Sequence, residues 1–190
     1  FFDIVSLNHM EHKGWHSRHY LPHFDSVDVT QFVTFRLADS LPAEALARLK
    51  AADKPETMRL EMLDRGWGAC WLKEDAIARF VEDALLRFDC DRYRLHAWTI
   101  MPNHVHVLFT MLPTATLGEI VGSWKRFTAR VANRHLGRTG AFWQTEYWDR
   151  FIRNEVHFRA AEDYIDQNPV KAGLAIDPPS WLYGSARLKT

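Results

Sequence analysis

Met101-Pro102-Asn103-His104-Val105-His106-Val107-Leu108-Phe109 decides how this chain is read. Pro102-Asn103 has the chemistry of a tight turn, because proline presets φ and asparagine tolerates turn geometry. Beyond the turn the pattern alternates, and in a strand successive side chains point to opposite faces. His104 and His106 therefore share one face, and Val105, Val107 and Phe109 the other. The preceding run, Tyr93-Arg94-Leu95-His96-Ala97-Trp98-Thr99-Ile100-Met101, reads as the partner strand of a hairpin. A two-residue loop sets 101 opposite 104, 100 opposite 105, 99 opposite 106 and 97 opposite 108. Thr99 and Ala97 then lie on the histidine face and leave room above it. Ile100, Trp98, Val105, Val107 and Phe109 form a core layer behind it. A strand histidine is more often structural than a ligand, so the pair alone leaves metal binding open.

Further donors come from the far end of the chain. Tyr147 to Ile152 reads as a strand, and Asn154 suits the N-cap of a helix behind it. On a 3.6-residue period His157, Ala161, Tyr164 and Asn168 fall along one face of that helix, with Phe158 and Ile165 beside it. Pro169 cannot continue the hydrogen-bond ladder, which places Asn168 in the final turn. Tyr164 and Asn168, at i and i+4, reach one centre together. A packed tyrosine ring and a helix-ending asparagine are the blander reading of the same two residues. Joined to two same-face imidazoles, the amide oxygen instead completes a mixed nitrogen and oxygen donor set suited to magnesium or manganese. His157 is a candidate helper for the phenol, and the blander reading makes it a half-buried neighbour.

The rest of the chain supplies a scaffold. The opening through His23, with Gly14, Trp15, His16, Ser17, Arg18, His19 and Pro22, follows no period and reads as an arm, spanning about residues 1–25. Gln31 to Leu37 is the first strand. Ser40 and Pro42 signal a helix through Leu46 and Leu49, and Pro55 opens another that stops at Gly66. Ile77, Phe80, Val81, Ala84, Leu85 and Phe88 make the cleanest amphipathic stripe in the sequence. Thr116-Leu117-Gly118-Glu119 has capping-box spacing. It opens a long helix with Leu117, Ile120, Val121, Trp124, Phe127 and Val131 inward, Lys125, Arg126 and Arg130 outward, and Gly137 as its stop. Residues from about 175 onward read as a short tail.

The 190 residues suit one domain with its own core. Twenty-four basic and 24 acidic side chains cancel, which argues against a protein that coats nucleic acid non-specifically. The basic run from Lys125 to Arg138 still offers a local patch for a phosphate backbone. Eight tryptophans are many for this length; most belong to packing, and a minority are candidate platforms for unstacked bases. No apolar run approaches a membrane span, and the start lacks a basic-then-apolar signal pattern, pointing to a soluble intracellular protein. Cys70 and Cys90 sit in no metal-ligand spacing and agree with a reducing compartment.

Met-Pro-Asn-His-Val-His-Val-Leu at 101–108, followed by Tyr164-Ile165-Asp166-Gln167-Asn168-Pro169-Val170-Lys171-Ala172-Gly173-Leu174, resembles the REP-associated tyrosine transposases, a branch of the single-tyrosine HUH transposases. Thr34-Phe35-Arg36-Leu37 and the region of Trp143, Asp149 and Arg153 are similar too, so the resemblance runs from about Gly14 onward. It implies an α+β, ferredoxin-like or RRM-like fold with a central antiparallel sheet. It implies Tyr164 as nucleophile, His104 and His106 as metal ligands and Asn168 as the third ligand. The implied substrates are single-stranded REP or BIME palindromes folded into hairpins. The implied reaction is nicking and rejoining through a 5′-phosphotyrosine in a bacterial, nucleoid-associated cytoplasmic protein, with a monomer favoured over a dimer sharing its tyrosines. The helical segment near residues 42–66 and the basic helix are where partner contacts are expected to differ from compact members. Charge and position nominate Lys125, Arg126, Arg150, Arg153 and Lys171 as DNA contacts. Two other classes stay open: a single-stranded nucleic-acid binder with an RRM-like sheet and no chemistry, and a metallohydrolase that uses a bound water.

Overall fold

Alternation at 93–111 builds the hairpin around which the fold is laid. A computed structural model describes residues 12, 14–17, 22–52 and 55–189. In chain order the elements are β1 (Gly14–Ser17), β2 (Pro22–Asp25), β3 (Thr30–Arg36), α1 (Ala43–Lys50), α2 (Pro55–Leu63), α3 (Asp75–Leu86), β4 (Tyr93–Ile100), β5 (His104–Met111), α4 (Leu117–His135), β6 (Trp148–Phe151) and α5 (Glu155–Lys171). Strands β3 to β6 form an antiparallel sheet in the order β4-β5-β3-β6, with both central strands buried. Strand, helix, hairpin, helix, strand is the ferredoxin-like arrangement expected from the sequence.

Hairpin register is as the turn dictates. Thr99 pairs with His106, Ile100 with Val105 and Ala97 with Leu108, and the Met101 amide donates to the His104 carbonyl at 2.9 Å. The pairing slips between Leu95 and Ala97, so His96 is an extra residue on β4 and the strand is bulged there. The imidazole of His96 turns to Thr110 Oγ1 (2.7 Å) and lies edge-on against Phe158 of α5.

The two sheet faces have different tasks. One packs α3 and α4 over a core of Val33, Phe35, Ile77, Val81, Leu85, Ile100, Val105, Val107, Phe109, Ile120 and Trp124. The aromatic rings of Tyr93, Phe109 and Trp124 meet edge-to-face at its centre, and truncating Trp124 would cost about 3–5 kcal/mol. The other face carries the histidines and a smaller cluster, Phe32, Ala97, Leu108, Ala161 and Ile165, through which α5 docks. Of the α4 stripe, Phe127 is displaced to the surface and is 41% exposed. Lys125 does not point outward: its ammonium donates to the carbonyls of Gln144 (2.8 Å) and Thr145 (2.6 Å), and burial pulls its pKa down to about 8.

Local signals mostly hold. Thr116 and Glu119 make the reciprocal capping box of α4, and the Asn154 side chain accepts from the His157 amide to cap α5. Of the two start signals, Pro42 takes the N-cap position of α1, and the Ser40 hydroxyl donates to the Leu37 carbonyl. Helix α5 continues through Pro169 to Lys171, because one missing donor leaves the flanking bonds intact, and Asn168 still lies in the last turn.

The opening segment is more ordered than an arm where it is described. β1 and β2 pair as a small antiparallel sheet. The imidazole of His23 bonds to the Asp149 carboxylate of β6, whose second oxygen accepts from the Phe24 amide. Asp25 accepts from His12 and from the Leu117 amide at the head of α4. Arg18 and His19 lie outside the described residues. The tail is likewise seated: Ile100 N donates to Tyr183 O, Trp98 N to Ser185 Oγ, and Lys189 reaches Glu162 and Asp166 of α5. Among the described residues no helix is long and apolar enough to cross a membrane.

Candidate metal and nucleophile site

The site begins with two imidazoles on the central strand β5, both fully buried. Their ring orientations are set from behind. Asn103 donates its Nδ2 to the Trp67 carbonyl (3.0 Å), which turns its Oδ1 toward His104 Nδ1 at 2.7 Å. That oxygen only accepts, so Nδ1 carries the proton and Nε2 of neutral His104 presents a lone pair. Thr34 Oγ1, one strand over, lies 2.7 Å from Nδ1 of His106. The two Nε2 atoms face each other at 3.0 Å. Outer partners on Nδ1 and converging Nε2 atoms are the usual dress of metal-binding histidines. Burial keeps both neutral: His104 is pushed down to about 3, and His106 falls well below the usual histidine range with help from His104.

A carboxylate closes the group. Asp64, just past the end of α2, sets Oδ1 3.6 Å from His104 Nε2, and donor atoms of Asp64, His104 and His106 all lie within 4.8 Å of one another. The loop behind α2 is held down for this purpose. Gly68 sits at φ +87° against Asp39, where an added Cβ would be 2.7 Å from the Asp39 carbonyl oxygen, and Ala69 N donates to Asp39 Oδ2. Sequence reading missed Asp64, since no fixed spacing links it to the histidines. Its only local signal is the helix stop at Gly66.

From the other side α5 brings Tyr164 and Asn168. The Tyr164 ring stands edge-on to His106 with centroids 5.3 Å apart and edge-on to Phe32 at 5.8 Å. Asn168 is fully buried, and its Nδ2 donates to Asp64 Oδ1 (3.2 Å) and reaches the Tyr164 hydroxyl at 3.4 Å. Its Oδ1 is buried without a hydrogen-bond partner among the described residues. A buried acceptor left over beside two converging imidazole Nε2 atoms and a carboxylate suits a divalent cation with mixed nitrogen and oxygen ligands. Burial raises the Tyr164 phenol above its ordinary pKa, and Asp64 and Glu61 add to the effect. Burial likewise raises the Asp64 carboxyl, against the pull of Asn168 and Lys171.

The nominated cations divide between the layers. Lys171 Nζ sits 5.5 Å from the Tyr164 ring centroid, beside the site. Arg150 is exposed on β6 opposite Phe32, and Arg153 lies over the Phe151 ring at 5.3 Å. Arg126 and Lys125 belong to α4, the layer across the sheet from the histidines. His157 accepts weakly from the Arg153 amide (3.4 Å) at the head of α5, roughly 10 Å along the axis from Tyr164. Arg36, not nominated, pairs with His104 across the strands and bonds to Ser40; burial and Arg59 lower its pKa to about 10.

A sheet of this topology with a histidine pair on its central strand and a tyrosine on the helix above defines a class, and a family profile described as "Transposase IS200 like" matches residues 73–168, just over half of the chain. The chain belongs to the IS200-like transposase family. Within the curated proteins it is similar to the REP-associated tyrosine transposase of Escherichia coli (strain K12), 27% identical over 108 residues, which is 56% of this chain and 63% of that one. The chain thus matches less than two thirds of that relative's length. Its fold is similar to a solved REP-associated tyrosine transposase bound to a REP hairpin, with a TM-score of 0.58 and 19% identity over 89% of this chain and 82% of that chain. Asp64 and helices α1 and α2 precede the span matched by the family profile.

Proposed function

We propose that this chain is a metal-dependent single-stranded DNA transesterase that nicks and rejoins hairpin DNA of REP or BIME type, with Tyr164 as nucleophile. The observation that supports it best is the meeting, within one chain, of His104, His106 and Asp64 with Tyr164 and Asn168. Because every donor comes from one polypeptide, a monomer suffices for assembly of the site. Magnesium or manganese held by His104, His106 and Asn168, with Asp64 as a further oxygen donor, supplies a Lewis acid that offsets charge developing on the scissile phosphate.

The residues then divide the work. Tyr164 Oη attacks phosphorus; the new Oη–P bond forms as the P–O3′ bond breaks. The phenol proton is balanced by the proton taken up on the leaving 3′ oxygen, so the products are a 5′-phosphotyrosine and a free 3′-hydroxyl. Attack by a 3′-hydroxyl on the phosphotyrosine reverses the bond changes and reseals a strand without ATP. Raised acidity thresholds at Tyr164 keep the phenol uncharged until a cation and a phosphate enter. Asn168 links Asp64 and the phenol through its Nδ2. Lys171, beside the ring, and Arg150 and Arg153, at the β6 edge, are the cations best placed for the phosphate backbone, with Arg126 on the distal layer for more remote duplex, while Lys125 is engaged by two carbonyls. Such a substrate puts the protein with the nucleoid in a bacterial cytoplasm.

The test is direct: incubation with an end-labelled single-stranded REP hairpin and manganese gives a protein-linked strand that survives denaturing electrophoresis. Products released with no linked strand would instead identify a hydrolase.

A further inference from the structure

Helices α1 and α2 have a core of their own. Leu41, Ala45, Leu49, Met62 and Leu63 pack on one another in a cluster separate from those on the two sheet faces. What this pair delivers to the rest of the protein is a carboxylate. Asp64, one residue past the end of α2, accepts from Asn168 Nδ2 of α5 at 3.2 Å and lies 3.6 Å from His104 Nε2 of β5. Glu61, one turn earlier, and Asp64 both act electrostatically on Tyr164, so this end of α2 lies over the phenol side of the site. The loop that follows is fastened, Ala69 N to Asp39 Oδ2 and the Trp67 carbonyl to Asn103. Between that loop and Asp64 stands Gly66 at φ +69°, with open space where a Cβ would go, so the end of α2 has room to shift while the loop stays seated.

Spacing around the histidine pair sets the direction of that shift. Two ligand atoms at right angles, each about 2.1 Å from one ion, lie about 3 Å apart. The two Nε2 atoms already meet that spacing at 3.0 Å. Asp64 Oδ1, at 3.6 Å from His104 Nε2, is a fraction of an ångström too far. A cation on the histidines therefore gains a charged oxygen ligand by drawing the end of α2 inward. Asn168 suits the same movement: its Nδ2 is given to Asp64, while its buried Oδ1, without a hydrogen-bond partner among the described residues, stays available to the ion. A ligand that prefers the closed arrangement shifts the population toward it by as much as that preference allows.

We infer that Asp64 is a latch: a metal ion on His104 and His106 takes its carboxylate as a ligand and so closes the α1–α2 pair over the Tyr164 site. The inference rests on the proposed metal dependence and deepens it, because metal affinity and the position of α1 and α2 become one coupled equilibrium. Their separate apolar cluster lets the two helices move as one body.

The test uses the full chain without DNA. Titration calorimetry with manganese chloride should show binding to the unaltered protein, and Asp64→Asn should weaken it about tenfold or more, since even the outer partners of metal ligands are worth about 10- to 100-fold. Hydrogen exchange read by mass spectrometry should slow at the amides of α2 when manganese binds. At manganese concentrations that fill both proteins Asp64→Asn should show no such slowing, and His106→Ala should show none. Equal manganese affinity, or equal slowing, in Asp64→Asn overturns the latch and leaves the histidine site and the Tyr164 chemistry standing. So does manganese binding with unchanged exchange at α2 in the unaltered protein, a result independent of how any variant folds. No manganese binding by the unaltered protein overturns both the latch and the proposed metal dependence.

Discussion

His104 Nε2 and His106 Nε2 point at each other across 3.0 Å while Asn103 and Thr34 occupy the Nδ1 atoms behind them. Two imidazole nitrogens so disposed, with Asp64 at 3.6 Å, are a better partner for a cation than for each other. Manganese at about 100 times its Kd should therefore raise unfolding free energy by about 2.7 kcal/mol. Thermal melts with and without manganese read this increment. In His106→Ala the increment should vanish whatever the variant's own stability, and an undiminished increment would place the ion elsewhere.

Thr34 bears on the site through His106. Thr34→Val keeps a similar volume at this buried position but removes the oxygen at Nδ1, freeing the ring to rotate. Manganese affinity, measured by titration calorimetry, should fall about 10- to 100-fold. Addition of excess manganese should recover binding, since the ligand itself remains.

Tyr93 gives the fold an alkaline limit unconnected with the site. Its buried hydroxyl donates to the Leu85 carbonyl at 2.6 Å and accepts from Trp124 Nε1 at 3.0 Å, and burial pushes its pKa up to about 12. Above pH 10 an unfolded tyrosine loses its proton while the folded one keeps it, so stability falls as pH rises from 10 towards 12. The loss is on the order of 2 kcal/mol. Urea unfolding at pH 8 and pH 11 should show it in the unaltered protein and less of it in Tyr93→Phe. Tyr93→Phe itself should cost about 1–3 kcal/mol at pH 8, since Trp124 Nε1 loses its acceptor.

Sequence reading reached those features that depend on local chemistry. Pro102-Asn103 and the alternation after it fix both the β4–β5 register and the shared face of the histidines. Thr116, Glu119 and Asn154 mark helix starts that packing had no reason to override. What escaped it depends on long-range contact. The β1–β2 pair has strands of four residues, too short to show a period, and is held by His23 and Asp149 from opposite ends of the chain. Asp64 gains meaning only when the α2 loop is pinned over β5 by Asp39 and Asn103. The bulge at His96 leaves no mark in an otherwise regular strand, and the inward turn of Lys125 answers two carbonyls nineteen and twenty positions away.

Everything in the proposed chemistry passes through one oxygen atom. Tyr164→Phe removes it while keeping the ring that packs on Phe32 and His106. With a labelled single-stranded REP hairpin and manganese, the unaltered protein should form a covalent protein–DNA adduct and Tyr164→Phe none, although both bind the hairpin. An adduct of equal yield from Tyr164→Phe would contradict the assignment of the nucleophile.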